Sequence, residues 1–280
     1  MKTVKIFLFV VCLLAFSRLD AFAQNPYSRT FPLKVGNLTV GELVVSFENI
    51  IKVGDFSVTL WSKSPSSSVF PSQVTPYSLP TLNSPLFVKV TTTSSFCGPA
   101  TVFLRTVLLE YNSRVPLRLF AADGTYRSAF RDITASTGKG SMYTNGYRAG
   151  FSEFVIALDQ RPNQVVTDLK VFELDQALEA HRSVIDPERY TILRGLLDQI
   201  IQTLLKLVSN VLGLLGNVLK LNLLNQALND LNEFIVEVRE GASLGEIPDT
   251  YNDPTNPYGN VAGDLFSRAQ TAAFSVKISQ

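Results

Sequence analysis

The sequence predicts a mixed α+β protein: an antiparallel β-sandwich, then a C-terminal two-helix hairpin, then a terminal strand. Three observations predict it. Apolar residues alternate with polar ones in short runs from Arg29 to Phe172. These runs are separated by clusters of Gly, Pro, Asn and Ser. Beyond Asp186 the apolar spacing changes to that of a helix. Alternation is the period of a half-buried strand, and spacing of three and four is that of one helix face.

The first residues read as an export leader. Lys2 and Lys5 form a positive start, Ile6 to Phe16 is an apolar run, and Ala21-Phe22-Ala23 supplies a small-residue cleavage site before Gln24. The apolar run is too short for a stable membrane anchor. Residues 1–23 are therefore expected to be a signal peptide. The mature product is expected to be secreted or on the cell surface, or periplasmic in a Gram-negative host, with no transmembrane segment.

The β-sandwich domain is expected over residues 24–180. Leu43, Val45 and Phe47 alternate, as do Phe56, Val58 and Leu60, followed by Phe87, Val88 and Val90. The run Thr101 to Tyr111 is rich in β-branched and aromatic residues, as strands are. Leu117 and Leu119, then Phe154, Ile156 and Leu158, continue the pattern, and Val166, Leu169, Val171 and Phe172 read as a strand after a register break. Pro65, Pro71, Pro76, Pro80 and Pro85 make Ser62 to Pro85 a loop, because proline removes a ladder donor.

The helical hairpin is expected over 181–245. Asp186-Pro187 is an N-cap followed by proline at the first helical position. Ile192, Leu193, Leu196, Leu197, Ile200, Ile201, Leu204 and Leu205 form a doubled apolar stripe. Such a helix needs cover on more than one side. A break falls at Gly213 to Asn217, and a second helix carries Leu224, Leu228, Leu231, Ile235 and Val238 to a C-cap at Gly241. Residues 246–280 read as a Pro-, Asn- and Asp-rich loop and a strand, Ala273 to Ile278, returning to the sandwich.

Chemistry-bearing groups are few. Cys12 lies in the leader, so Cys97 is the one cysteine of the mature chain and has no intramolecular partner; its apolar setting favours burial. His181 is the single histidine. One Cys and one His cannot build a zinc site, and no G-x-S-x-G elbow accompanies the histidine. The loop Asp249 to Asn256 has oxygen donors but departs from the EF-hand pattern and reads as turns. Glu110, Asp123, Asp132, Glu153 and Asp159 fall near strand ends, where paired carboxylates could serve glycoside hydrolysis. No cofactor, metal or catalytic residue is expected. The formal net charge is +1, with no block of like charge, and this argues against nucleic acid as a partner.

Tyrosine faces and arginine forks are what proteins use to contact sugars and partners. Tyr126, Arg127, Arg131, Tyr143, Tyr147 and Arg148 form the candidate ligand or partner surface. The leading expectation is a secreted, non-enzymatic structural or binding protein. It could be a self-assembling cell-surface or matrix subunit whose partner is itself or another extracellular protein. The alternatives are a carbohydrate-binding module with a glycan ligand, a lipid carrier, and a carboxylate-dependent glycoside hydrolase.

Overall fold

The computed structural model describes residues 25–61, 69–79, 82–106, 116–122, 129–137, 143–209 and 216–280. The expected signal peptide lies outside them.

The β1 strand (Tyr27–Val35) turns through Gly36, at φ +60°, into β2 (Leu38–Lys52). Then follow β3 (Phe56–Trp61), β4 (Val74–Pro76), β5 (Ser78–Leu79), β6 (Ser84–Pro85), β7 (Phe87–Thr92) and β8 (Ser95–Thr106). The last of the β-rich part are β9 (Leu117–Ala122), β10 (Phe130–Asp132), β11 (Thr134–Thr137), β12 (Tyr143–Arg148) and β13 (Glu153–Asp159). The short β14 (Thr250–Tyr251) arrives much later in the chain.

These strands make two antiparallel sheets. The first runs β1-β2-β8-β12-β11, with β14 added to β8. The second runs β10-β9-β13-β7-β3, with β4 added to β13. A separate pair joins β5 to β6. Leu43, Val45, Phe47 and Val102 of the first sheet share one buried cluster with Val88, Leu119, Phe154 and Ile156 of the second. The alternation read from the sequence thus marks real inward faces. Gly41 is required in β2, because a Cβ there would stand 2.1 Å from the Arg105 carbonyl oxygen. A second cluster, including Phe70, Phe120, Phe130 and Val155, lies apart from the first, with the Phe70 and Phe130 rings stacked at 4.7 Å.

Four helices complete the described fold: α1 (Asn163–Ala180), α2 (Pro187–Ser209), α3 (Asn217–Leu244) and α4 (Val261–Ile278). The expected hairpin is α2 and α3, which pack on one another. Asp186 caps α2 as expected, its Oδ1 accepting from the backbone N–H groups of Glu188 and Arg189. The second helix passes through Gly241 and ends at Gly245, which takes the left-handed conformation at φ +76°.

Two expected strands are helices. Val166 to Phe172 belongs to α1, whose buried side is Val166, Thr167, Lys170, Val171, Leu174, Ala177 and Leu178. Lys170 on that side, with Val165, Leu169 and Phe172 exposed on the other, obscures the helical stripe. The expected terminal strand, Ala273 to Ile278, is the end of α4. Its alternating Phe274, Val276 and Ile278 are the last turns of an alanine-rich helix. Asn260 starts that helix by accepting the Gly263 N–H at 2.8 Å. Small buried residues such as Ala262, Ser267, Ala269 and Ala272 let neighbours approach closely. As a result α4 is the helix that packs on β8, β11 and β12, while α1 and α3 lie against α4.

Candidate functional site

Three places in the fold concentrate chemistry or uncovered surface. The first is a polar seam between the second sheet and the helices. Lys170 Nζ stands 2.8 Å from an Asp132 carboxylate oxygen, and both side chains are almost sealed from water. The same ammonium donates to the Thr271 carbonyl of α4 at 3.2 Å. The Thr134 N–H donates to the other Asp132 oxygen at 2.8 Å. Burial pushes the Asp132 carboxyl up, but the charges of Lys170 and Arg118 and these hydrogen bonds outweigh it, and the group sits below its ordinary pKa. Burial dominates at Lys170 and lowers its pKa, although Asp132 opposes the shift.

Alongside lies Asp264 of α4, approached by Arg268 at 3.0 Å, His181 at 3.6 Å and Arg131 at 3.7 Å. Burial disfavours its ionised form, but the charge of Arg268, the nearby His181 imidazole and the charge of Arg131 hold it well below the carboxylate range. Asp159 is gripped by both Arg161 Nε at 2.8 Å and Nη2 at 2.7 Å. Every one of these carboxylates already has a cationic partner. The seam is suited to fastening helices to a sheet, since each charge is neutralised where it is buried.

The second place is an open cleft of about 240 Å³ between the ends of β2 and β8 and the helices α3 and α4. Glu48, Cys97, Arg239, Asp249 and Phe266 line it. Arg239 pairs with Glu48 at 2.8 Å and lies 4.7 Å over the Phe266 ring. Cys97 is half-buried, its Sγ 3.6 Å from Thr250 Oγ1. Burial raises the thiol pKa, with Asp249 adding to the rise and Thr250 opposing it. A thiol held in its neutral form is a poor nucleophile.

The third place is the far end of the hairpin. In α3 every residue from Asn217 to Asn222 is exposed, and Leu224 is the first that is buried. Val218 is 75% exposed, and Leu219 and Leu221 are exposed too. On α2, Leu205 and Val208 are also open. The helix α4 ends at Ile278, and Gln280 just after it donates to Asn225 at 2.9 Å, which puts the end of α4 at that level of α3. The first turns of α3 extend past it.

The model for the family of unknown function DUF6689 matches residues 37–280. The chain belongs to that family. No curated protein and no solved structure matches it. The matched range starts at the turn before β2 and includes the seam, the cleft and the hairpin.

The residues singled out in the sequence are dispersed. Tyr126 and Arg127 lie outside the described residues. The backbone of Tyr143, Tyr147 and Arg148 forms β12, inside the first sheet between β8 and β11. Arg131 is 7% exposed and stands 3.7 Å from Asp264, at the seam. Of the carboxylates, Glu110 and Asp123 lie outside the described residues, while Asp132 and Asp159 are buried and ion-paired. His181 caps the end of α1, partly buried against Asp264. In the loop from Asp249, Asp253 accepts from Thr255 N at 2.8 Å and Asn256 donates to Thr250 and Gly259 carbonyls, so its polar atoms serve its own turns. Among the described residues no group of three or more His, Cys, Asp or Glu is placed to hold a metal ion. No described helix is long and apolar enough to cross a membrane.

The seam was not legible in advance. Lys170 falls inside the expected strand Val166 to Phe172, and the one available signal was a lysine spaced at helical intervals from Val166 and Leu174.

Proposed function

We propose that this is an exported, non-enzymatic binding protein that works by apolar contact, through the far end of its helical hairpin. The observation that carries the reading is the exposure of Leu205, Val208, Val218, Leu219 and Leu221 at that end. Scattered exposed apolar residues are ordinary, but these five fall on the last turns of α2 and the first turns of α3, where they concentrate apolar surface for a contact. Burying apolar area returns about 25 cal/mol per Å², so the contact needs no special chemistry. Export rests on Lys2, Lys5, the apolar run Ile6 to Phe16 and Ala21-Phe22-Ala23.

In this reading the two sheets are the layers of a β-sandwich and act as a platform. Their shared cluster, with Leu43 and Val45 from one sheet and Val88 and Ile156 from the other, supports that geometry. The seam of Asp132, Lys170, Asp264 and Arg268 then locks α1 and α4 in place, and the hairpin is carried outward. The engagement of Asp132, Asp159 and Asp264 with cations supports a non-enzymatic role.

The test is association of the mature chain, residues 24–280, measured by light scattering across a concentration series and by flotation with lipid vesicles. Association in either assay that is lost in the variant Val218→Ser, Leu219→Ser, Leu221→Ser supports the reading. A chain that stays monomeric and leaves vesicles unbound overturns it.

A further inference from the structure

The open cleft between β2, β8, α3 and α4 has the build of a small-molecule site. One side of it is a break in the first sheet. Between the pairs Phe47–Ala100 and Asn49–Cys97, the single residue Glu48 of β2 faces two residues of β8, Gly98 and Pro99. This is a β-bulge, and Gly98 takes the left-handed conformation at φ +68°. Bulges re-aim side chains and recur beside functional sites. Two helices wall the other side with residues four apart, Val238 and Ala242 from α3, Ala262 and Phe266 from α4. The two alanines leave room that longer side chains would fill.

The charges lining the cleft do not balance. Glu48 and Arg239 neutralise each other at 2.8 Å. Asp249 meets the Thr250 hydroxyl at 3.2 Å and the Cys97 thiol, both uncharged. Among the described residues no cation pairs with it. The carboxylates of the seam each have such a partner, so Asp249 stands apart from them. A partly buried carboxylate held by neutral donors gains most from a positive charge brought beside it.

We propose that the cleft binds a small organic cation, a primary ammonium joined to a compact apolar body. The ammonium pairs with Asp249, and the body lies against Val238, Ala242, Ala262 and Phe266. Size limits the ligand. A cavity of about 150 Å³ holds a benzene ring. The cleft, at about 240 Å³, takes a ring with a short aminoalkyl arm. An anion is disfavoured, because Arg239 is already committed to Glu48 and to the face of Phe266. A neutral ligand leaves Asp249 without a countercharge. This site is separate from the hairpin tip, and its test is independent of the apolar-contact reading.

The experiment is calorimetric titration of residues 24–280 with phenethylamine, and with phenethyl alcohol and phenylacetate as neutral and anionic counterparts. In parallel, the rate of iodoacetamide modification of Cys97 is measured with and without each compound. The amine should bind at least about ten-fold more tightly than the alcohol, the factor that a hydrogen bond to a charged group supplies. Phenylacetate should bind more weakly still. Saturating amine should slow the modification of Cys97 several-fold, because that thiol lines the same cleft. Asp249→Asn keeps an oxygen for the Thr250 hydroxyl and should bring the amine down to the level of the alcohol. Ala242→Leu fills the cleft from α3 and should weaken both. Equal binding of amine and alcohol, or amine binding unchanged in Asp249→Asn, overturns the proposal. A preference for phenylacetate overturns it and assigns the cleft to Arg239. Amine binding that leaves Cys97 unprotected places the ligand elsewhere and overturns it too, as does an absence of amine binding.

Discussion

Lys170 on α1 holds Asp132 at the end of β10, nitrogen to oxygen 2.8 Å, and the same ammonium donates to the Thr271 carbonyl on α4. One cation thus joins a sheet and two helices. Removing one member of a buried pair leaves the other charged and unpartnered, at a cost of about 3–5 kcal/mol, whereas removing both can be nearly neutral. Lys170→Met and Asp132→Asn should each lower the urea midpoint strongly, and the double variant should recover most of the loss. A double variant as unstable as the sum of the singles would show that the pair does not act as a unit.

The seam also sets the acid limb of stability. Asp132 and Asp264 have folded pKa values below their ordinary ones, so the native state favours their ionised forms. Their contribution is complete above the unfolded carboxylate value of about 4 and is lost as pH falls through the lowered folded values. Asp168, Asp230 and Asp249 are raised by burial and act in the opposite sense, costing stability when ionised. The fully paired groups are the more deeply buried, so urea midpoints should fall from pH 5 downward. The fall should be shallower in the Asp132→Asn, Lys170→Met double variant. An acid limb as steep as wild type would assign the titration to other carboxylates.

The strand β2 was legible because it buries alternate residues, Leu43, Val45 and Phe47, and leaves those between them partly open. The hairpin was legible from its doubled stripe. The helix α1 was not, because its buried side includes Thr167 and Lys170 while Val165, Leu169 and Phe172 face out. Polar burial and apolar exposure are tertiary choices that local periodicity does not carry. The helix α4 was missed because six residues, Ala273 to Ile278, alternate by coincidence. The longer window contained the answer in Asn260, a capping residue, followed by an alanine-rich run. At the candidate site, the apolar residues Leu205, Val208, Val218, Leu219 and Leu221 were visible in the sequence, but their exposure was not, because it depends on which distant elements pack against the two helices. Arg131 read as a surface group because nothing near it in sequence announces its partner, Asp264, far along the chain.

Cys97 should behave as a sluggish thiol. Burial and the neighbouring Asp249 hold it neutral at physiological pH, and the thiolate is the reactive species. Modification of the native protein by iodoacetamide should be at least several-fold slower than that of the urea-unfolded chain, and should accelerate with pH only beyond the ordinary thiol range. Asp249→Asn should bring that acceleration to lower pH. Native labelling as fast as unfolded labelling would mean the thiol is open.

Asn260 should prove more costly to replace than an ordinary helix cap. Its Oδ1 accepts the Gly263 N–H at 2.8 Å, and its Nδ2 donates to the Gly98 carbonyl at 2.6 Å and to that of Ala149 at 3.2 Å. It therefore starts α4 and ties that start to β8 and to the residue after β12. Loss of the cap alone costs about 1 kcal/mol. Each further buried hydrogen bond adds about 1 kcal/mol. Asn260→Ala loses all three bonds and should cost about 3 kcal/mol in urea unfolding. Asn260→Asp keeps the cap, which a carboxylate makes well, but turns the donor into a second acceptor facing two carbonyls. The aspartate variant should therefore be clearly less stable than wild type despite being an excellent capping residue. If it matches wild type, the cap alone anchors α4 and the two donor bonds contribute nothing.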